Sequence, residues 1–234
     1  MRVRPSFAAA LTVMAGIAAS TASAGSIVEY ELFGVDGAST SVAPTFTLAG
    51  SIGDSLIRGA GLTGASSSNS FNSAGWDDLS ADDYIQFGFQ VAAGYTANVD
   101  QLIFATRSSG TGPGFVDVSY SIDGANFVTL TTLAQQGTNY LNSVLDLNQV
   151  IQSSLVIRFT AANDTTANGG TIGSAGTFRL SDYSPDGGQT YQPITITGDL
   201  TLSAVPEPSS VVLCGLGLSL SGLYAARARR KQTA

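Results

Sequence analysis

The chain of 234 residues contains no histidine, and its single cysteine, Cys214, lies inside an apolar run near the C-terminal end. Its only lysine is Lys231. Residues 25–205 therefore hold no His or Lys to activate a serine and no thiol nucleophile, which excludes the usual triads and dyads of acyl transfer from that stretch. The same absences remove the customary ligands of zinc and most transition metals, and they leave no disulfide. Positive charge is scarce as well. Across residues 25–205, sixteen Asp and Glu stand against Arg58, Arg107, Arg158 and Arg179, a net −12 compared with −7 for the whole chain. Such a field repels phosphate backbones and argues against nucleic acid as a partner. It is compatible with a soluble surface and with cation binding. Gly110-Thr111-Gly112-Pro113-Gly114 lacks the Lys and the following helix of a phosphate loop, and reads as a hairpin turn.

The basic residues missing from the middle sit at the two ends. Arg2 and Arg4 precede an apolar stretch over residues 7–19, followed by Ala22-Ser23-Ala24 and Gly25. This is the pattern of a signal peptide over residues 1–24, cut between Ala24 and Gly25 by signal peptidase after export through the general secretion machinery. At the other end, residues 211–226 carry no charge, and Arg227, Arg229, Arg230 and Lys231 follow at once. As a helix, such a run covers roughly 24–27 Å, short of a ~30 Å bilayer core but within reach once the basic stems snorkel. The pattern predicts a transmembrane helix over about residues 209–226, started by Pro206 and Pro208 and held by a basic stop-transfer tail on the cytoplasmic side. The alternatives are a plain C-terminal membrane anchor and a buried core helix, the latter disfavoured by the four terminal cations.

Pro206-Glu207-Pro208, the short apolar helix and the terminal Arg cluster, in that order and spacing, resemble the PEP-CTERM sorting signal of Gram-negative and related bacteria. The resemblance implies that an exosortase, a membrane-embedded cysteine protease-transpeptidase, recognises and removes the segment. The chain then divides into a signal peptide (1–24), an ectodomain (25–203) and a sorting segment (204–234).

The ectodomain is rich in Gly, Ser, Thr, Asn and Asp between short alternating apolar runs, the composition of an all-β domain with many turns. Residues 84–91 alternate cleanly, with Ile85, Phe87, Phe89 and Val91 on one face and Tyr84, Gln86, Gly88 and Gln90 on the other. Leu155, Ile157 and Phe159 give a second such strand. Asp123-Gly124 between residues 115–122 and 126–130 marks a hairpin. Further strands are expected at 27–33, 45–48, 55–58, 99–107, 144–147, 177–180 and 194–202. Residues 62–75 and 163–176 read as long polar loops. The spacing predicts a jelly-roll-like antiparallel β-sandwich. The order Ile57-Arg58-Gly59-Ala60-Gly61-Leu62, Asn69-Ser70-Phe71-Asn72-Ser73-Ala74-Gly75-Trp76, Asp83-Tyr84-Ile85-Gln86-Phe87, Gly94-Tyr95 and Arg107-Ser108-Ser109-Gly110 resembles a β-sandwich module of secreted bacterial proteins. That resemblance implies a fold similar to galactose-binding-like or carbohydrate-binding domains. The chain departs from the module at Gly176-Thr177-Phe178-Arg179-Leu180-Ser181-Asp182-Tyr183, where Pro185-Asp186-Gly187-Gly188 is inserted before the last strand.

Two features of the ectodomain carry candidate chemistry. Asp77, Asp78, Asp82 and Asp83 cluster ahead of a strand. They read as a solvated acidic loop, as calcium ligands together with loop carbonyls, or as the carboxylate pair of a glycosidase. No cofactor is expected, with calcium the one candidate, at Asp77, Asp78, Asp82 and Asp83. Trp76, the only tryptophan, is either a core residue or a ring on which a sugar stacks. The expectation is a non-catalytic, exported cell-surface or exopolysaccharide-matrix protein that adheres to or binds carbohydrate. The alternatives are a secreted carbohydrate-active hydrolase and a calcium-dependent sugar-binding module.

Overall fold

Strand periodicity dominates the computed structural model, which describes residues 25–137, 139–182 and 191–203. Fourteen strands follow in order: β1 (Gly25–Tyr30), β2 (Ser41–Val42), β3 (Phe46–Thr47), β4 (Ser51–Arg58), β5 (Thr63–Gly64), β6 (Ser70–Ala74), β7 (Tyr84–Val91), β8 (Tyr95–Ser108), β9 (Phe115–Ser121), β10 (Val128–Ala134), β11 (Leu141–Ile151), β12 (Ser154–Ala161), β13 (Phe178–Ser181) and β14 (Ile194–Leu202). The described residues contain no α-helix. The expected signal peptide and transmembrane helix lie outside the described residues.

The strands form two antiparallel sheets. One has six strands in the order β10-β9-β12-β7-β4-β2. The other has eight and is built around the long β8: β14 and β13 lie in line along one of its edges and β11 along the other. Thr195 pairs with Ile103 and Ser181 with Ala105, so the chain leaves this sheet after Ser181 and rejoins the same edge at β14.

The alternation read from the sequence places the core. Ile85, Phe87, Phe89, Leu155, Ile157 and Phe159 are buried on the inner face of the six-stranded sheet, opposite Leu102, Phe104 and Phe178. Aromatic rings connect the two layers. Trp76 meets Phe178 at 5.7 Å between centroids, Phe178 meets Phe159 at 6.2 Å, and Phe159 meets Phe104 at 5.1 Å and Phe87 at 6.1 Å. Tyr30 closes the row against Phe87 at 5.2 Å. Its hydroxyl crosses the sandwich to the carbonyls of Asp54 (2.5 Å) and Gly88 (2.9 Å), at a bulge between β4 and β7. Burial pushes that phenol well above its ordinary pKa. Edge-to-face and offset rings add to the area each buries.

The expected hairpin is present between β9 and β10. Gly124 takes φ +74°, the left-handed conformation that favours glycine. Asp123 Oδ1 accepts from the Ala125 and Asn126 amides at 2.9 and 2.8 Å, which fixes the turn. Residues 62–75, expected as one long loop, instead contain β5 and β6, and β6 pairs with β13 inside the sheet. Ser70, Asn72 and Ser73 are buried there although polar. Arg58 donates to two groups of this polar strand, Nε to Ser73 Oγ at 2.7 Å and Nη2 to the Asn72 carbonyl at 2.6 Å. The strand is held by a cation instead of by an apolar stripe, so it lacks the alternation that marks the others.

Candidate ligand-binding face

The residues singled out in the sequence have clear positions. Trp76 is fully buried, with Nε1 donating to the Ser73 carbonyl at 2.9 Å. Its ring packs in the core against Phe178, so of its two readings the core one matches its position. Asp77 and Asp82 are exposed, whereas Asp83 is buried. The Asp83 and Asp78 carboxyls are hydrogen-bonded to each other, and each accepts from the Ser80 amide, at 3.0 Å. Burial first, and the Asp78 contact next, raise Asp83 to about 6; Asp78 is lowered by the proton it accepts from Asp83. This pair closes its own loop. The contact brings Asp78 and Asp83 closer together than the roughly 5–10 Å that a hydrolase sets between its acid and its base or nucleophile. Among the described residues, no three or more carboxylate, His or Cys side chains stand together as a metal site. Asp77, Asp78, Asp82 and Asp83 are thus not gathered into one group of three or more carboxylates.

The arrangement that can hold a ligand lies on the outer face of the six-stranded sheet. Register puts Gln86 opposite Arg158, Tyr84 opposite Thr160 and Gln90 opposite Ile52. Arg158 Nε and Nη2 both donate to Gln86 Oε1, at 3.2 and 2.8 Å. The guanidinium carbon lies 4.1 Å from the Tyr84 ring centroid and 3.9 Å from that of Phe127, at the end of the Asp123 turn. Desolvation by these neighbours lowers the Arg158 pKa. One strand away, Gln90 Nε2 donates to Asp54 Oδ1 at 2.9 Å. A groove of about 270 Å³ runs along the same face, lined by Asp54, Ser55, Ile57, Gln86, Phe87 and Val156. The bulge between Asp54 and Ile57 spreads the strands beside it.

This face was not singled out in the sequence. The outward register of Tyr84, Gln86 and Gln90 was legible, but Phe127 and Arg158 belong to distant segments that only the sheet brings together. A larger groove, about 450 Å³, opens between residues 34–36 and 66–69. Among the described residues its lining holds no aromatic ring, and its polar groups tie the two loops to each other: the Gly34 amide donates to Asn69 Oδ1 at 2.8 Å and the Gly37 amide to the Ser67 carbonyl at 2.7 Å.

One further buried titratable group is structural. Asp182 follows β13 where the chain leaves the sheet, and its Oδ2 accepts from the amides of Leu32 and Phe33. Burial, then the neighbouring Glu31, pushes it up to about 8.

No curated protein matches the chain. Solved structures with a similar chain course include two variants of CBM29-2, studied for ligand recognition by family 29 carbohydrate binding modules. They are 11% and 10% identical, with TM-scores of 0.41 and 0.38, and each match covers 76% of this chain and 92% of the other. A carbohydrate binding module of family 29 is 11% identical at a TM-score of 0.37, over 65% of this chain and 84% of that one. Similarity this remote says nothing about the ligand. The family model of the PEP-CTERM protein-sorting motif matches residues 204–231, which include Pro206-Glu207-Pro208 and the basic residues Arg227, Arg229, Arg230 and Lys231, and the chain carries that sorting motif.

Proposed function

We propose that the protein is exported, sorted through its C-terminal segment by an exosortase, and works without catalysis at the cell surface or in the exopolysaccharide matrix, where it binds polysaccharide. In this reading residues 1–24 are removed by signal peptidase. The helix over about 209–226 inserts in the inner membrane, and its basic tail stays inside until exosortase cuts near Pro206-Glu207-Pro208. The sorting motif over residues 204–231 supports the route.

One arrangement carries the binding reading: Arg158 held at Tyr84 and Phe127, beside Gln86 and the Gln90–Asp54 pair, along a groove on a regular sheet. Sugar rings lie on aromatic and aliphatic surfaces, while planar amides, carboxylates and guanidinium groups read their hydroxyls. Glycan arrays probed with the full chain test it. Neutral oligosaccharides should bind, Arg158→Ala and Tyr84→Ala should weaken the signal at least tenfold, and no oligosaccharide should be cleaved. An array without signal would refute the binding reading, and cleavage abolished in Asp82→Asn or Asp83→Asn would refute the non-catalytic one. The route has its own readout. A tag beside the exposed Gly25 and a C-terminal tag should separate in the cell, the latter remaining with the inner membrane.

A further inference from the structure

The outer face of the eight-stranded sheet carries a second arginine arrangement that polysaccharide binding by the other face does not use. Arg107 on β8 and Arg179 on β13 are partners in register. Both guanidinium groups lie over the Tyr140 ring, at 5.0 and 5.6 Å from its centroid, and Arg107 Nη1 reaches the Tyr140 hydroxyl at 3.5 Å. On the far side Arg179 is in register with Asn72 of β6, whose buried Oδ1 has no hydrogen-bond partner.

Like charges directly opposite on neighbouring strands are destabilising. The cost is visible at Arg179, whose pKa is lowered by burial and, further down the order of causes, by Arg107. No carboxylate among the described residues hydrogen-bonds to either guanidinium, although acidic residues outnumber basic ones four to one in this ectodomain. An anion placed between the two would remove the repulsion, and guanidinium forks match a planar carboxylate through paired N–H donors.

We propose that Arg107 and Arg179, oriented by Tyr140, bind the carboxylate of a sugar acid, the uronate unit of an acidic polysaccharide. The choice of a sugar acid over another oxyanion rests on the reading of the protein as a polysaccharide binder; the site itself rests on the paired arginines. The net −12 of the ectodomain opposes a polyanion at long range, but exposed charges beyond about 8 Å are largely screened at physiological salt. Contact at the fork is shorter than that and survives.

Calorimetric titration of the full chain with hexagalacturonate, with inorganic sulfate and with neutral cellohexaose tests the site. Hexagalacturonate should bind, and Arg107→Gln and Arg179→Gln should each weaken it at least tenfold. Their melting temperatures without ligand should be unchanged or raised, since each substitution relieves the repulsion. Arg107→Lys should also weaken binding, because a point charge lacks the fork. Uronate binding that is absent, or indifferent to both glutamine variants, would overturn the site. Sulfate binding as tight as hexagalacturonate would overturn the sugar-acid assignment. If no neutral oligosaccharide on the array binds while uronate binds and depends on Arg107 and Arg179, the Arg158 face is wrong and this site stands.

Discussion

Arg58 and Arg158 occupy similar surroundings and do different work. Each guanidinium lies over aromatic carbon, 3.7 Å from the Phe71 centroid for Arg58 and 3.9 and 4.1 Å from Phe127 and Tyr84 for Arg158. Among the described residues, neither is paired with a carboxylate. Arg58, however, commits its donors to Ser73 Oγ and to the carbonyls of Ser39, Gly37 and Asn72, which joins β4 to β6 and to the loop before β2. Arg158 gives two donors to a single acceptor, Gln86 Oε1. A guanidinium has five N–H donors. The one that spends nearly all of them on its own chain holds the fold, and the one that keeps several for other partners suits recognition.

The largest effect should come from the first. Arg58→Ala leaves three carbonyls and a hydroxyl of a half-buried network without their donor, and each orphaned group costs on the order of 1–3 kcal/mol when water cannot reach it. A loss of about 3 kcal/mol or more in urea unfolding is expected. A loss below about 1 kcal/mol would erase the distinction between the two arginines.

Asp182 ranks next. Asp182→Ala deprives the Leu32 and Phe33 amides of their acceptor and should cost about 2 kcal/mol. Its protonation gives a sharper test. An acid raised to about 8 keeps its proton in the folded state, whereas the unfolded carboxyl titrates near 4. The stability it contributes is fully present below about pH 4 and is lost as pH rises through about 8. Asp182→Asn retains an acceptor for the two amides and can donate toward Glu31. Its stability should therefore fall less than that of the parent between pH 4 and pH 8. Parallel curves for the two proteins would contradict this. Asp83, raised to about 6, acts in the same direction over the lower part of that range, which is why the comparison is made between variants and not across pH alone.

The smallest stability effect should be at the proposed binding face. Arg158→Ala removes no donor to a backbone group, so a change within about 1 kcal/mol is expected, together with a large loss of ligand. Unfolding by Arg158→Ala as severe as that of Arg58→Ala would make both arginines structural.

Legibility in the sequence followed the same division between local and assembled features. β7 and β12 were readable because an apolar residue recurs at every second position and those residues do fill the core. The Asp123-Gly124 turn was readable because its chemistry is local: one carboxylate caps the two following amides beside a left-handed glycine. The sorting motif is also contiguous, and the family match falls on the residues expected. β6 escaped because Arg58 reaches its Ser73 hydroxyl and Asn72 carbonyl from another strand, and nothing in Ser70-Phe71-Asn72-Ser73-Ala74 announces that partner. Trp76 and the Asp cluster drew attention as rare or crowded residues, yet Trp76 packs in the core and Asp78 and Asp83 hold their own loop. The Arg158 face escaped because its parts lie at residues 84, 127 and 158, and only the order β10-β9-β12-β7 brings them together.

The most direct test of the central claim is the affinity of the full chain for a neutral oligosaccharide that gives a signal on the array, measured in parallel for the parent and Arg158→Ala at matched folded fraction. The account predicts that Arg158→Ala loses at least tenfold in affinity while its unfolding free energy stays within about 1 kcal/mol of the parent. Unchanged affinity in a folded Arg158→Ala protein would contradict it.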